Sequence, residues 1–332
     1  MLNHRWAAQL LHRPDGLDAG EIVRHLLAVQ AQDVTAALLA FRARSASLGA
    51  GDVLAAWHGR EIVRTWGPRG TLHFVHVEDL PWLLALTGRI GLAGSLRRLA
   101  QEGVKGDDLL KLIDYALAGQ GPLTKAELRT RLAGRADGQG IVHLVDLAAA
   151  HGLALLGPPR GGKPTYVHAA DWLGAPIAFE PDRDRALAEL ARRYLRAHAP
   201  ATAADLAAWT RLPLGDARTA LRLIADDLDE SPDGTVRLRT APTERKPPTV
   251  RLAPAFDEYL LGWADRTPIL DEPHRREVLP GGGILRPVVL SGGVIKGTWS
   301  RKGTSASVHL FEPVDQNQIE AETADVSRFL TS

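Results

Sequence analysis

The side chains with the clearest chemical potential are two glutamines separated by one alanine, Gln30 and Gln32. A glutamine amide offers one acceptor oxygen and two donor hydrogens, but it does not exchange protons as a carboxylate or an imidazole does. A catalytic site built on this pair would hold a water or a substrate edge in position. Residues two apart share a face only in an extended segment, so we expect the preceding helix to end by about Val29. The alternative is that both amides are exposed or bond nearby backbone.

Other chemistries are excluded or disfavoured by the residue types present. The chain has no cysteine, which removes disulfides, thiolate nucleophiles and zinc–thiolate sites. His73 and His76 would lie on opposite faces of a predicted strand, so we expect no metal site and no cofactor. The adjacent carboxylates of Asp257 and Glu258 would point apart in a strand, which disfavours a paired-carboxylate site. We expect Asp257 to support the structure, by pairing with Arg266.

Length and charge set limits on the class of protein. The chain has 332 residues, which suits several modules, and its 40 Lys and Arg balance 39 Asp and Glu. A nucleic-acid surface would therefore need segregated charge and cannot come from an excess. Residues 1–6 lack the basic start and apolar run of a signal peptide, and no run of about 18 apolar residues occurs. We expect a cytoplasmic protein without a membrane segment.

Three helices followed by a hairpin are predicted in the first part of the chain. Apolar residues recur at helical spacing before residues 13–16, and again after Asp18, which is predicted to cap a helix. Further helices are predicted from Asp33 or Thr35 onward and over residues 51–58. Two strand-like segments, 62–66 and 71–75, are joined by a turn with two glycines and a proline. This is the order of elements in a winged helix.

The same order recurs twice before the pattern changes. Thr124 opens a capping box, and Thr202 caps the corresponding helix of the third copy. Beyond residue 240, after a boundary at Lys246-Pro247-Pro248, short strands alternate with Gly and Pro turns, and residues 316–330 form a terminal helix. The sequence predicts an α+β fold: winged helix 1 (1–78), a connecting helix and winged helix 2 (79–180), winged helix 3 (181–242), and a C-terminal β-rich module with a terminal helix (243–332).

Comparison of the three copies indicates that the fold does not require the two glutamines. When the helix caps Asp33, Thr124 and Thr202 are aligned, residues 30–32 fall where the other copies have Gly-Pro-Leu and Ala-Pro-Ala. Small or apolar residues therefore suffice in this link, which favours a functional reason for the two amides. Asp33 is the nearest carboxylate, and we expect it to cap the next helix.

Three stretches of the sequence together resemble a known enzyme family. They are Val29-Gln30-Ala31-Gln32-Asp33, residues 64–73 (Arg-Thr-Trp-Gly-Pro-Arg-Gly-Thr-Leu-His) and residues 254–263 (Pro-Ala-Phe-Asp-Glu-Tyr-Leu-Leu-Gly-Trp). The combination resembles the winged-helix DNA glycosylases of the AlkZ type, over nearly the whole chain. The catalytic signature of that family is Gln, an apolar residue, Gln. A sister YcaQ-like branch has Asp in the last place, so Gln32 favours the AlkZ branch.

The resemblance implies a monofunctional DNA glycosylase that excises alkylated purines, especially N7-alkylguanine and its bulky or crosslinked adducts, in DNA repair or self-resistance to a genotoxin. It assigns catalysis to Gln30 and Gln32. The chemistry is reasonable, because an N7-alkylated guanine is cationic and leaves as a neutral base with little acid assistance. Two amides can orient the attacking water and stabilise the developing sugar cation. No lysine adjoins the pair in sequence, which favours hydrolysis over Schiff-base chemistry.

On this interpretation the three winged helices form a concave, basic surface that binds double-stranded DNA as a monomer. The first wing and the hairpins of the β-rich module are expected to contact the DNA. The candidate contact residues are Arg64, Arg69, His73, Lys296, Arg301 and Lys302. Each could equally be an ordinary solvated residue. A competing interpretation is a non-catalytic winged-helix transcription regulator, which would bind one palindromic operator as a symmetric dimer.

Overall fold

A computed structural model describes residues 1–240 and 250–332. The predicted boundary at Lys246-Pro247-Pro248 lies outside the described residues, and the predicted domain limits stay predictions. The first module has the predicted order of helices and a hairpin. Its elements are α1 (Leu2–Ala8), α2 (Ala19–Leu26), β1 (Val29–Gln30), α3 (Val34–Arg42), α4 (Ala50–His58), β2 (Ile62–Trp66) and β3 (Leu72–His76).

The segment that carries the glutamines begins where α2 ends. Asp18 caps α2 through a reciprocal capping box with Glu21. Leu27 then has φ 73° and ψ −46°, which no helix can continue. The next residues to pair are those of β1, antiparallel to β3, with Gln30 opposite His73. The prediction that the helix ends by Val29 is confirmed.

The second module begins with two helices where the sequence predicted one connecting helix. The first helix ends at Thr87, with Gly88 as its C-cap, and the second begins after its N-cap Gly91, whose φ of 86° suits glycine. The predicted capping box at Thr124 is confirmed. The elements are α5 (Leu80–Thr87), α6 (Leu92–Gln101), α7 (Leu109–Leu117), β4 (Leu123–Thr124), α8 (Lys125–Arg131), α9 (Gly138–Ala150), β5 (Ala154–Arg160), β6 (Lys163–His168) and α10 (Ala169–Leu173).

The wings of the first two modules join in a single sheet. Its strand order is β1-β3-β2-β5-β6-β4, and the two wings meet where Arg64 of β2 pairs with Leu156 of β5. Each hairpin thereby covers an edge of the other, which hides backbone groups that would otherwise lie open. The strand that carries Gln30 lies at one end of this sheet.

The third module packs its long first helix against the other modules. Tyr194 and Trp209 are fully buried in its core, beside the fully buried ring of His198. The elements are α11 (Arg183–His198), α12 (Ala203–Thr210), α13 (Leu214–Arg222), β7 (Leu228–Glu230) and β8 (Val236–Leu238). The last two strands pair as the predicted small wing.

The C-terminal module is β-rich, as the sequence predicts, and ends in the predicted helix. Its four-stranded sheet has the order β12-β11-β10-β9. The α+β class of the chain is confirmed. The elements are β9 (Val250–Ala253), α14 (Glu258–Leu261), α15 (Arg275–Val278), β10 (Val288–Ser291), β11 (Val294–Lys302), β12 (Ser305–Leu310) and α16 (Gln316–Thr331).

The stretch around Asp257 corrects one expectation. It is not a strand: Asp257 caps α14 by accepting from the backbone N–H of Tyr259 at 2.9 Å. Its carboxylate pairs with Arg44 through two hydrogen bonds, at 2.8 and 2.9 Å, and both side chains are fully buried. The expected pairing with Arg266 was wrong, since that guanidinium donates to the carbonyl of Leu260. Asp257 does support the structure, by tying the C-terminal module to the residues just after α3.

Candidate active site

Gln30 is a buried residue whose two polar ends are both fixed. It lies in β1, which pairs with β3. Its amide Oε1 accepts a hydrogen bond from Nη2 of Arg69 at 2.9 Å. Its backbone N–H donates to Oε1 of Glu258 at 3.1 Å. Because a guanidinium can only donate, the amide oxygen must face Arg69, and the rotation of the amide is set.

Gln32 is exposed and lies along the edge of the same sheet. Its Oε1 accepts the backbone N–H of Leu72 at 2.9 Å, next to the bond from the Ala31 N–H to the Leu72 carbonyl at 2.7 Å. Ala31, the residue between the two glutamines, is fully buried. Each glutamine oxygen thus accepts one hydrogen bond from the protein and keeps a second lone pair. The arrangement can orient a water or a polar edge without proton exchange.

Arg69 lies at the turn of the first wing, and its guanidinium points into the protein. Its backbone has φ 62°, a conformation rare for a residue other than glycine. Besides Gln30, it donates from Nη1 to the Trp209 carbonyl at 2.8 Å and from Nη2 to Nε2 of His73 at 3.1 Å. Burial lowers the pKa of Arg69 below its ordinary value, although nearby Glu258 acts in the opposite direction. As a candidate DNA contact this side chain was expected to face solvent, but it is largely buried.

His73 is fully buried, with its tautomer determined by its neighbours. The obligate donor Arg69 requires Nε2 to accept, so Nδ1 carries the hydrogen and donates to the Thr71 carbonyl at 2.9 Å. Burial, with Arg69 adding to it, lowers the pKa of His73 well below 6.5. The ring is therefore neutral and has no surface from which to contact DNA.

Arg64 is also buried, and it holds the backbone of the glutamine segment. Its Nε donates to the Ala31 carbonyl at 2.9 Å, and Nη2 lies 3.4 Å from the Gln32 carbonyl. Burial lowers its pKa to about 10, so it stays protonated at neutral pH. The expected solvent-exposed contact position on the wing was wrong here too, because the strand directs this side chain toward β1.

Glu258 belongs to the site and was missed as a functional residue in the sequence. It is fully buried and accepts from the Gln30 backbone N–H and, at 2.9 Å, from Nε1 of Trp209. Its Oε1 lies 3.9 Å from Nη2 of Arg69. Burial raises the pKa of Glu258 above its ordinary value, and the opposing effects of Arg69 and the two hydrogen bonds offset this only in part. The available signal was the carboxylate pair within residues 254–263.

The hairpin of β11 and β12 brings one basic residue, Arg301, to a groove that Asp33, the residue after Gln32, also lines. This groove has a volume of about 110 Å³, and its lining includes Asp33, Trp299 and Arg301. Arg301 and Lys302 are exposed near the hairpin turn. Lys296, at the other end of β11, is half-buried and pairs with Glu312 at 2.6 Å. The structure thus brings Arg301 to the groove and leaves Lys296 in an ion pair.

Asp33 adopts the geometry of a helix cap at the start of α3. Its Oδ1 accepts the backbone N–H of Ala36 at 3.1 Å, as predicted. In the part of the chain that the structure describes, no three His, Asp or Glu side chains cluster as metal ligands would. None of the described helices is long and apolar enough to cross a membrane.

Comparison with known proteins identifies the family. The model of the family described as DNA glycosylase AlkZ-like matches residues 23–329. The chain belongs to the AlkZ-like DNA glycosylases. This glycosylase is therefore an enzyme that hydrolyses N-glycosidic bonds, which decides against the non-catalytic regulator.

Two similar proteins come from Streptomyces sahachiroi. The glycosylase is 28% identical, over 353 aligned residues, to the interstrand DNA cross-link repair glycosylase of that organism, with 98% of this chain and 94% of the relative covered. The solved structure of S. sahachiroi DNA glycosylase AlkZ has a TM-score of 0.82 at 27% identity, and the match covers 99% of this chain and 95% of that one. The fold is therefore shared along its full length.

Proposed function

We propose that this glycosylase releases N7-alkylated purines from duplex DNA, including bulky and crosslinked N7-guanine adducts. Gln30 and Gln32 orient the attacking water with the lone pairs that their amide oxygens keep. Their dipoles also stabilise the positive charge that develops on the sugar. The observation that carries the proposal is the fixed pair of amides on an extended segment, each with one protein hydrogen bond to its oxygen.

The substrate class follows from what the two amides lack. Neither glutamine can protonate a leaving base, and Glu258 behind them is fully buried. A base that is already cationic needs no such proton, because it leaves as a neutral molecule. The relative that is named for interstrand DNA cross-link repair supports the proposal that bulky and crosslinked adducts are substrates. The same activity would serve DNA repair or self-resistance to a genotoxin in the cytoplasm.

DNA is held, on this proposal, by a monomer whose winged helices form a concave basic surface. Arg301 and Lys302 extend from the β11–β12 hairpin beside the groove at Asp33 and contact phosphates. Lys296 contributes less, because Glu312 neutralises it. Neutralising phosphates with these two side chains makes binding salt-dependent, and removing each should lower the slope of log affinity against log salt by about 1.

The test is a set of duplexes that each carry one lesion: an N7-methylguanine, a bulky N7-guanine adduct, or an N7-guanine interstrand crosslink. Incubation with the glycosylase followed by alkaline cleavage reports abasic sites. We expect cleavage at the N7 lesions and no borohydride-trapped protein–DNA adduct. Failure to release any N7 adduct, with release of a neutral lesion such as hypoxanthine, would contradict the proposed substrate class. A trapped adduct that disappears in Lys302→Ala would contradict the hydrolytic mechanism.

A further inference from the structure

The residues behind Gln30 form a closed ring of contacts between three modules. We propose that Arg69 and Glu258 are positioning residues that fix the Gln30 amide, and that Trp209 links this orientation to the docking of the third module. The inference rests on the proposed role of Gln30 in catalysis. None of these three side chains needs to touch the DNA.

The ring consists of four hydrogen bonds through four residues. Arg69 donates to the Gln30 amide at 2.9 Å and to the Trp209 carbonyl at 2.8 Å. Glu258 accepts from the Trp209 indole at 2.9 Å and from the Gln30 backbone at 3.1 Å. Gln30 is therefore held at both its side chain and its backbone by two groups that share one support, Trp209.

The four members come from three modules of the chain. Gln30 and Arg69 belong to the first module, Trp209 to α12 of the third, and Glu258 to α14 of the C-terminal module. Trp209 lies in the last turn of α12, where a carbonyl lacks an intrahelical partner and a cation is favoured. Docking of the third module thus supplies an acceptor and an indole donor without which Arg69 and Glu258 lose part of their geometry.

Burying the charged groups of this ring costs free energy, and a link between two helices does not require it. Arg69 is largely buried and Glu258 is fully buried, and a buried ion pair gives little net stability over apolar packing. In the other two copies, the slot of Gln30 contains Gly121 and Ala199, which have no side-chain amide to hold. A buried pair at this slot alone is explained if the orientation of the Gln30 amide matters for the reaction.

Three conservative variants separate positioning from stability. Arg69→Lys keeps the positive charge and loses the paired donors of the guanidinium. Glu258→Gln keeps the shape and loses the negative charge. Trp209→Phe keeps an aromatic side chain and loses the indole donor. Single-turnover release of 7-methylguanine and DNA affinity are measured for each. We expect rates lower by about 10- to 100-fold with unchanged affinity, since small misplacements of a catalytic group have effects of this size. Trp209→Phe is the mildest change and remains informative if Glu258→Gln does not fold.

Arg5→Lys is the matched control. Arg5 is a buried arginine that also joins modules, 3.4 Å from the Pro200 carbonyl and 4.4 Å from the centre of the Trp263 ring, outside the ring of contacts around Gln30. We expect this variant to melt at a lower temperature and to release the base at the wild-type rate. If Arg5→Lys and the three variants all lose rate in proportion to their decrease in melting temperature, the effect is one of stability and the proposal is overturned.

A double-mutant cycle decides whether Arg69 acts through Gln30. In the Gln30→Ala background, Arg69→Lys should cause no further loss of rate. Multiplicative losses would overturn the proposal. If Gln30→Ala is impaired while Arg69→Lys, Glu258→Gln and Trp209→Phe are all fully active, the positioning role fails and the proposed function stands. If Gln30→Ala itself is fully active, the catalytic role of Gln30 fails, and the positioning role fails with it.

Discussion

At the scale of single residues, burial divides the charged side chains of the first wing from those of the β11–β12 hairpin. Arg64 and Arg69 face inward and donate to the glutamine segment, whereas Arg301 and Lys302 are exposed. Arg64 holds the carbonyls of Ala31 and Gln32, so it fixes the backbone between the two catalytic candidates. A guanidinium in that position acts on geometry and not on phosphate.

Arg64→Ala should therefore lower the rate of base release by about 100-fold, an effect typical of a displaced catalytic group. DNA affinity and its salt dependence should stay near those of the wild type, because this guanidinium is buried. Arg64→Lys should recover part of the rate by donating to one carbonyl. Single-turnover kinetics and fluorescence anisotropy at several salt concentrations give the two quantities. Weaker binding with a salt slope lower by about 1 would assign Arg64 to a phosphate after all.

Residue type and spacing were enough to select Gln30 and Gln32 as candidates, but not to predict the network that holds them. The pair is recognisable because amides two residues apart in an extended link are unnecessary for the fold. The partners Trp209 and Glu258 lie 140 and 228 residues away from Arg69 and Gln30. No local pattern reports contacts over such separations, so an arginine at a turn was expected to be exposed.

At the scale of elements, the link between α2 and α3 combines a strained start, a short strand and a cap. Leu27 at φ 73° ends α2, β1 fixes Gln30, and Asp33 begins α3. The Asp33 carboxylate is also the nearest in sequence to the glutamines and lines the groove beside Arg301. Its cap geometry gives it a structural role that does not require its charge.

Asp33→Asn distinguishes the two roles. Asn ranks with Asp as a helix cap, so the melting temperature should hardly change, whereas Asp33→Ala should lose about 1 kcal/mol of unfolding free energy. If Asp33 only caps α3, base release by Asp33→Asn should also hardly change. A loss of about 100-fold or more in Asp33→Asn, with the protein still folded, would show that the charge stabilises the sugar cation.

Helix starts were predictable from the sequence, because a cap and its helix are neighbours in the chain. Asp18, Asp33, Thr124 and Thr202 all cap helices where expected. The joined sheet was not predicted, since it depends on the pairing of Arg64 with Leu156 across two modules. Asp257 was misassigned to a strand for a related reason: its apolar surroundings suit a buried strand as well as the buried start of a short helix.

At the scale of the whole molecule, buried ion pairs join the modules, and two buried histidines are neutral. Glu322 of α16 contacts Arg42 of α3 at 3.0 Å and also contacts Arg251 of β9. Burial raises the pKa of Glu322, but the surrounding arginines outweigh this and lower it to about 2. Burial lowers the pKa of His25 to about 4 and that of His198 to about 3.

Acid should therefore unfold the protein in two overlapping stages. In the unfolded chain, histidines bind protons below about pH 6.5, whereas folded His25 and His198 do not until about pH 4 and 3. Stability is full above pH 6.5 and falls by up to about 1.4 kcal/mol per pH unit for each histidine as pH decreases. Below about pH 4.5 Glu322 adds to this, because its carboxyl takes up a proton in the unfolded chain but stays ionised in the folded protein until about pH 2. Urea unfolding at pH 7, 6 and 5 measures the slope, and unchanged midpoints over this range would contradict buried neutral histidines.

The central claim is that two neutral amides perform the hydrolysis. It is tested most directly by single-turnover release of 7-methylguanine from a duplex with one N7-methylguanine, using wild type and Gln30→Ala/Gln32→Ala at protein concentrations that saturate the DNA. The expected result is a folded double variant that binds the duplex as tightly as wild type and releases the base about 100-fold more slowly, or slower still. A folded, DNA-bound double variant that releases the base at the wild-type rate would contradict the claim.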